Sequence, residues 1–260
     1  MAIPVIVMGV LGRMGSTIAH LAKADTALTL VGVVERPEAV NQVTQAGCTV
    51  ASSVEPLLAA NPGAIVVEFT TPEVTLTTAR AVARAGACHV IGTTGFTEIQ
   101  KAELAGIAEQ VPLFWAPNMS IGVQALLKVL PELTRLLGDD YDVEMLEIHH
   151  KHKKDAPSGT ALRLAEALAE TKGWPLREAA CYHREGITGE RPHKTIGMQT
   201  LRGGDVVGVH TVYFMGQGER IELIHQAHSR ENFAKGALRA AKWLSGQKPG
   251  RVYSMQDMLG

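Results

Sequence analysis

Cysteine is scarce in this 260-residue chain: Cys48, Cys88 and Cys181, odd in number and far apart. They form no disulfide framework and no CxxC pair, so three small buried thiols in a reducing cytoplasm are expected. Neither sign of charge dominates. Lys plus Arg number 25, Asp plus Glu 26, and the formal net charge is −1. A nucleic-acid binder would be basic overall or carry a broad basic face, so that class of partner is not expected. Long apolar runs are also missing. No stretch approaches the ~20 residues that span a bilayer. The opening "MAIPVIVMGVLGRMG" lacks a basic leader and breaks into glycines too early for a signal peptide. The expectation is a soluble cytoplasmic protein with no membrane partner. At 46% hydrophobic and 20% charged, it can bury one large core or two modest ones.

What is present is rhythm. Over the first ~120 residues, β-rich runs alternate with helical patterns, as in a parallel sheet with crossover helices. Strands are predicted at 3–10, 28–35, 64–70, 89–94 and 111–118, with helical patterns after the first, third and fourth. Met14, Ile18, Leu21 and Ala22 fall at helical spacing after the first strand. Beyond residue 120 the rhythm changes. A helix over 121–137 leads to a strand over 141–150. Mostly β segments follow, at 179–184, 195–202, 206–215 and 220–227. In the last of these, Ile221, Leu223 and His225 alternate with polar neighbours, as in a sheet with one wet or partner-facing side. A helix over 231–246 closes the chain. The fold expected is α/β: a Rossmann-like dinucleotide-binding domain (1–119 plus 230–260) and a second α+β domain on a mixed sheet (120–229), serving substrate binding and oligomerisation.

"GVLGRMG" places Gly9, Gly12 and Gly15 at the junction of the first strand and first helix. Such a turn lets backbone N–H groups approach a pyrophosphate, and the helix N-terminus adds about half a positive charge. Glu35 ends the second strand, where an acid can accept hydrogen bonds from ribose hydroxyls. Arg36 follows at once and can face a 2′-phosphate instead, which leaves NADH and NADPH both open. Two later loops, "GTTG" (92–95) and "APNMS" (116–120), follow strands on the same side. Thr93, Thr94 and Asn118 are candidates for bonding the nicotinamide ribose or carboxamide.

The densest stretch is "EIHHKHKKDAPSGTALRLAEALAE" (147–170). A metal site is disfavoured: Lys151, Lys153 and Lys154 surround the histidines, and adjacent His149 and His150 point to opposite faces of a strand. A nucleic-acid patch is disfavoured because the run is short and without interleaved aromatics. An anion pocket fits better. Pro157 disfavours helix at Ala156, Ser158 is a good N-cap, and Ala161, Leu164, Ala165 and Leu168 form a buried stripe. The N–H groups of Gly159 and Thr160 then offer a carboxylate site at a helix N-terminus.

With "GVLGRMG", "ER" (35–36), "GTTG", "APNMS", "EIHHKHKKDAPSGTA" and "SRENFAKGA" (229–237) in order along the whole chain, the sequence resembles the 4-hydroxy-tetrahydrodipicolinate (dihydrodipicolinate) reductase family. The histidine–lysine stretch is specific to that family; GxxGxxG is not. The resemblance implies reduction of a heterocyclic dicarboxylate by NADH or NADPH in the diaminopimelate and lysine pathway. It implies that Gly9, Val10, Leu11, Gly12, Arg13 and Met14 cradle the cofactor phosphates, and that Glu35 and Arg36 meet the adenosine ribose or its phosphate. Gly92, Thr93, Thr94, Ala116, Pro117, Asn118 and Met119 match nicotinamide-side contacts. His149 matches a proton donor/acceptor and Lys153 a proton donor. His150, Gly159 and Thr160 match substrate-binding positions, with Ser158 adjoining them. It also implies a homotetramer formed through the second domain's sheet. One departure is Glu68 in "EFTTPE", where aspartate is expected; it is expected to alter the strand end rather than the chemistry. Two rival readings are a nicotinamide-dependent reductase of an acyclic amino or hydroxy acid, and a non-catalytic NAD(H) sensor with no need of Lys153.

Overall fold

A computed structural model describes residues 2–44 and 46–260, and the chain divides into two compact units, Met1–Ile121 with Arg230–Gly260, and Gly122–Ser229. The first unit begins with β1 (Ile3–Met8), α1 (Arg13–Ala24), β2 (Leu28–Val34), a short β3 (Thr49–Ala51), α2 (Glu55–Ala60) and β4 (Ile65–Glu68). It continues with α3 (Pro72–Ala85), β5 (Cys88–Ile91), α4 (Glu98–Ala108) and β6 (Leu113–Trp115). α5 (Ile121–Leu137) opens the second unit, followed by β7 (Asp142–His149), α6 (Gly159–Lys172), α7 (Leu176–Ala179), β8 (Ala180–Cys181), β9 (Ile196–Arg202), β10 (Gly208–Gly216) and β11 (Glu219–Ala227). α8 (Glu231–Leu244), β12 (Val252–Tyr253) and α9 (Met255–Leu259) return to the first unit.

The first unit's sheet runs β12-β6-β5-β4-β1-β2-β3, every pair parallel. Its strands are buried on both faces, as parallel sheets require. Val5, Val7, Ile65 and Val67 face one core, closed by Ile18 and Ala22 of α1 and by Ala237, Leu238 and Ala241 of α8. Ile6, Met8, Val66 and Ile91 face the other, with Leu57 of α2, Leu76 and Val82 of α3 and Leu104 of α4. The helices are set by local signals. A capping box joins Thr97 and Gln100 at the start of α4, and Gly86 ends α3 in the left-handed conformation. This is the Rossmann-like arrangement expected. It differs in detail: β3, α2, β12 and α9 were not anticipated, and the segment expected as a strand over 179–184 contributes only two strand residues.

The second unit's sheet runs β11-β10-β7-β9-β8. β10 is antiparallel to β11 and β7, whereas β7–β9 and β8–β9 are parallel, so the sheet is mixed. Val143 and Met145 of β7, Ile196 and Met198 of β9, and Val212 and Phe214 of β10 pack with Leu164, Ala165 and Leu168 of α6.

The three cysteines are unpaired. Burial pushes the Cys88 thiol up to about 11 from 9.0. The thiolate is the reactive form, so Cys88 should label with maleimide at pH 8 roughly 100-fold more slowly than an unperturbed thiol. Timed labelling followed by peptide mass spectrometry measures this; rapid modification of the folded protein would contradict it.

Candidate active site

In the first unit, the loops after β1, β2, β5 and β6 leave the same edge of a parallel sheet, the edge at which open α/β sheets bind ligands. Gly9 begins the turn with φ of +63°, and its carbonyl accepts from the Gly12 N–H at 2.9 Å. Gly15 lies against that carbonyl so closely that a Cβ would sit 2.1 Å from the oxygen. Gly12 is the N-cap of α1 without a side-chain cap, and the first turn has no acid. A helix end left this way suits an anion. Val10 and Met14 are half-buried, and Leu11 and Arg13 are exposed on the turn.

Glu35 is buried; its Oε2 accepts from the Leu11 N–H at 2.9 Å and its Oε1 from the Arg36 N–H at 3.0 Å. The acid therefore braces the glycine turn from below, and each oxygen keeps a lone pair for a further donor. Arg36 stays exposed, with Nη1 3.5 Å from Glu38.

The Thr93 hydroxyl is turned inward. Its oxygen accepts from the Thr70 N–H at 3.0 Å and from the Thr75 hydroxyl at 2.9 Å. Gly92 is buried, Thr94 exposed. In the last loop Ala116 and Met119 are buried, Pro117 is exposed, and the Asn118 Oδ1 accepts from the Ser120 N–H at 2.9 Å. Glu68 is fully buried, with Oε1 2.8 Å from His89 Nε2 on the neighbouring strand and Oε2 accepting from the Thr70 hydroxyl at 3.0 Å. The extra methylene thus reaches a histidine beneath the 92–95 loop.

In the second unit, strand alternation puts Glu147 and His149 on the core face of β7, continuing the row of Val143 and Met145. Glu147 is only 2% exposed. Its Oε2 contacts His149 Nδ1 at 2.5 Å and accepts from Arg202 Nη1 at 2.8 Å. Its Oε1 accepts from Arg202 Nη2 at 2.8 Å and from the Ser158 N–H at 2.9 Å. Ser158 caps α6, its oxygen accepting from the Ala161 N–H, and also lies 3.0 Å from His210 Nε2. Ala161, Leu164, Ala165 and Leu168 are the buried stripe of that helix, as predicted. Gly159 is exposed with open space where a side chain would be, and Thr160 is half-buried beside it. Lys153 Nζ donates to Asp155 Oδ1 at 2.9 Å. His150 follows the strand, its ring centroid 6.3 Å from that of His152. Among the described residues no group of three or more His, Cys, Asp or Glu is placed to hold a metal ion, and no helix is long and apolar enough to cross a membrane.

Models of dihydrodipicolinate reductase match the chain in two parts, the N-terminal model over residues 3–119 and the C-terminal model over 122–259. The chain belongs to the dihydrodipicolinate reductase family. The 4-hydroxy-tetrahydrodipicolinate reductase of Nitratidesulfovibrio vulgaris (strain DP4) is 62% identical over 259 residues, covering all of both chains. That of Lawsonia intracellularis is 49% identical over 261 residues, again covering all of both. Among solved structures, dipicolinate-bound dihydrodipicolinate reductase from Paenisporosarcina sp. TG-14 superposes with a TM-score of 0.77 at 24% identity, covering 99% of each chain.

Three residues that sequence reasoning passed over anchor this reductase's second unit: Glu147, Arg202 and His210. Glu147 stands two residues before His149, so the period-2 rule already put it on the same face. Arg202 and His210 lie 55 and 63 residues away, and only strand register brings them in. Burial pushes the Glu147 carboxyl up, but hydrogen bonds from His149, Arg202 and the Ser158 N–H outweigh it and hold it at about 2, below the ordinary 4.5. The folded-state value lies below the unfolded one. The carboxylate therefore stabilises the fold fully above about pH 5, and that contribution is lost as pH falls toward 2. It amounts to about 3 kcal/mol. Urea unfolding at pH 7, 5 and 3 should show the decline. A Glu147→Gln variant whose stability falls just as steeply over that range would contradict the assignment.

Proposed function

We propose that the protein reduces 4-hydroxy-tetrahydrodipicolinate to tetrahydrodipicolinate with NADH or NADPH, a step of diaminopimelate and lysine biosynthesis in the cytoplasm. The observation that carries this reading is the 62% identity to a reductase of that name over the full length of both chains. The cradle at Gly15, the uncapped start of α1 and the Glu35 brace fit a dinucleotide pyrophosphate and ribose. In this reading Gly9 to Met14 hold the phosphates, Glu35 and Arg36 the adenosine ribose or its phosphate, and the loops at 92–94 and 116–119 the nicotinamide side.

When bound, the reduced nicotinamide supplies hydride to the ring. Loss of water from the hydroxylated ring leaves an unsaturated, conjugated system. Negative charge develops along it as hydride arrives. Lys153 delivers a proton to the neighbouring carbon, and His149 donates or relays one. The α6 start, with Ser158, Gly159 and Thr160, takes one substrate carboxylate. His150 helps hold the ring, and Lys151, His152 and Lys154 add positive potential.

The test is a coupled assay. The condensation product of pyruvate and aspartate semialdehyde is supplied, and NADH and NADPH absorbance are followed. No oxidation of either cofactor would sink the reading and favour a reductase of another acid or a sensor. Under the same proposal, the face of the second sheet bearing Leu201, Met215 and Ile224, 50%, 38% and 51% exposed, meets other copies in a homotetramer. A monomeric mass in solution would refute that.

A further inference from the structure

Glu147 makes more contacts than charge neutralisation of Arg202 needs. Its two oxygens receive His149 Nδ1, both Arg202 Nη atoms and the Ser158 N–H, and the Thr200 hydroxyl stands 3.3 Å from Oε1. A carboxylate offers about four lone-pair positions, so this one is filled from inside the protein. It cannot also hold substrate. What it does hold is two separate parts of the proposed site, the imidazole that handles protons and the helix start beside it.

An ionised carboxylate only accepts hydrogen bonds. The His149 nitrogen facing it must therefore carry a proton, which leaves Nε2 as the atom that exchanges one. Strand register supplies the other side of the cage. Gly208 of β10 faces His149, and a Cβ there would lie 3.0 Å from Nε2. The His210 ring stands edge-on to His149 at 5.1 Å. Burial holds His210 at about 3, so it brings no positive charge against His149. The other ionisable groups nearby are Arg202 on β9, His225 on β11, and Lys153 with Asp155 in the segment before α6. Of these, Arg202 is bound to Glu147 and Lys153 to Asp155.

We propose that Glu147 is a positioning residue: one buried carboxylate fixes the tautomer and angle of His149 and, through the Ser158 N–H, ties the start of α6 to it. This rests on the proton-handling role proposed for His149. Partners that orient an imidazole from behind are worth about 10- to 100-fold in activity where they have been removed from metal-bound histidines, and a catalytic histidine held in the wrong tautomer loses more.

The experiment compares Glu147→Gln, Arg202→Gln and the double variant in the full-length protein. The double variant matters because Glu147→Gln alone leaves a guanidinium unpaired and lowers stability. Readouts are kcat, substrate KM, NADH affinity by fluorescence, and histidine-ring 15N spectra, which report the nitrogen bearing the proton. The expected result is kcat lowered about 10- to 100-fold in Glu147→Gln, a raised substrate KM and unchanged NADH affinity. His149 should be a single Nδ1–H species in the native protein and a tautomer mixture in the variant. The double variant should regain stability but not kcat. Wild-type kcat in the double variant would reduce Glu147 to a partner of Arg202 and overturn the proposal, as would an unchanged His149 spectrum in Glu147→Gln. The ring spectrum requires no turnover, so native protein that is inactive on this substrate refutes the proposed function and not the tautomer assignment.

Discussion

Replacing Lys153 with alanine is expected to lower kcat by at least ~10²-fold, the typical loss for a general acid, while NADH affinity stays near that of the native protein. The ammonium is held in place. Lys153 bonds through its backbone N–H to the His150 carbonyl at 3.1 Å and through Nζ to Asp155 at 2.9 Å. Burial pushes the Asp155 carboxyl up, but the Lys153 hydrogen bond, a backbone hydrogen bond and the charges of Lys153 and Arg202 together outweigh it and hold the group below its ordinary value. At neutral pH Asp155 is therefore ionised and places a negative charge against Lys153 Nζ. Lys153→Arg separates charge from chemistry. A guanidinium keeps the positive charge but does not release its proton. If Lys153 only steadies anionic substrate, Lys153→Arg should retain most of kcat. If it delivers the proton, Lys153→Arg should be nearly as slow as Lys153→Ala. Loss of NADH binding in either variant would place the residue in the cofactor site instead.

The fold could be read from sequence where segments are long and periodic. α5 matches its expected span of 121–137, β9 and β11 differ from expectation by one residue at one end, and β7 by one residue at each end. The misses are short. β3 has three residues and β12 two, and each exists because a neighbouring strand offers its edge: β2 pairs with β3, and β6 with β12. Local pattern cannot announce a pairing imposed from outside. The site divides in the same way. The glycine turn, Ser158 and the α6 stripe follow from chemistry within one segment. The inward turn of Thr93 and the convergence on Glu147 follow from register between distant strands. β7 sets Glu147 opposite Thr200 on one side and His210 on the other.

The glycine turn yields the second large effect. Gly15→Ala is expected to weaken NADH binding about 100-fold and to cost about 3 kcal/mol of stability, the upper range for overpacking a close-packed site. The added methyl would lie 2.1 Å from the Gly9 oxygen, 2.7 Å from its carbon and 3.0 Å from the Met8 oxygen. All three are backbone atoms, so no side chain can swing aside. Gly9 cannot retreat either: its N–H donates to the Val34 carbonyl at 2.8 Å and its carbonyl accepts from Gly12. The remaining response is for the start of α1 to move outward. That displaces the N–H groups proposed to meet a pyrophosphate and stretches the Glu35 bond to Leu11. Gly12→Ala is the control. Its Cβ would stand 3.1 Å from the same oxygen, so a shift of a few tenths of an ångström relieves it. It should lose far less NADH affinity than Gly15→Ala. NADH titration by fluorescence and urea unfolding of both variants measure the contrast. Equal losses at the two positions would show that the close approach at Gly15 is not what shapes the turn.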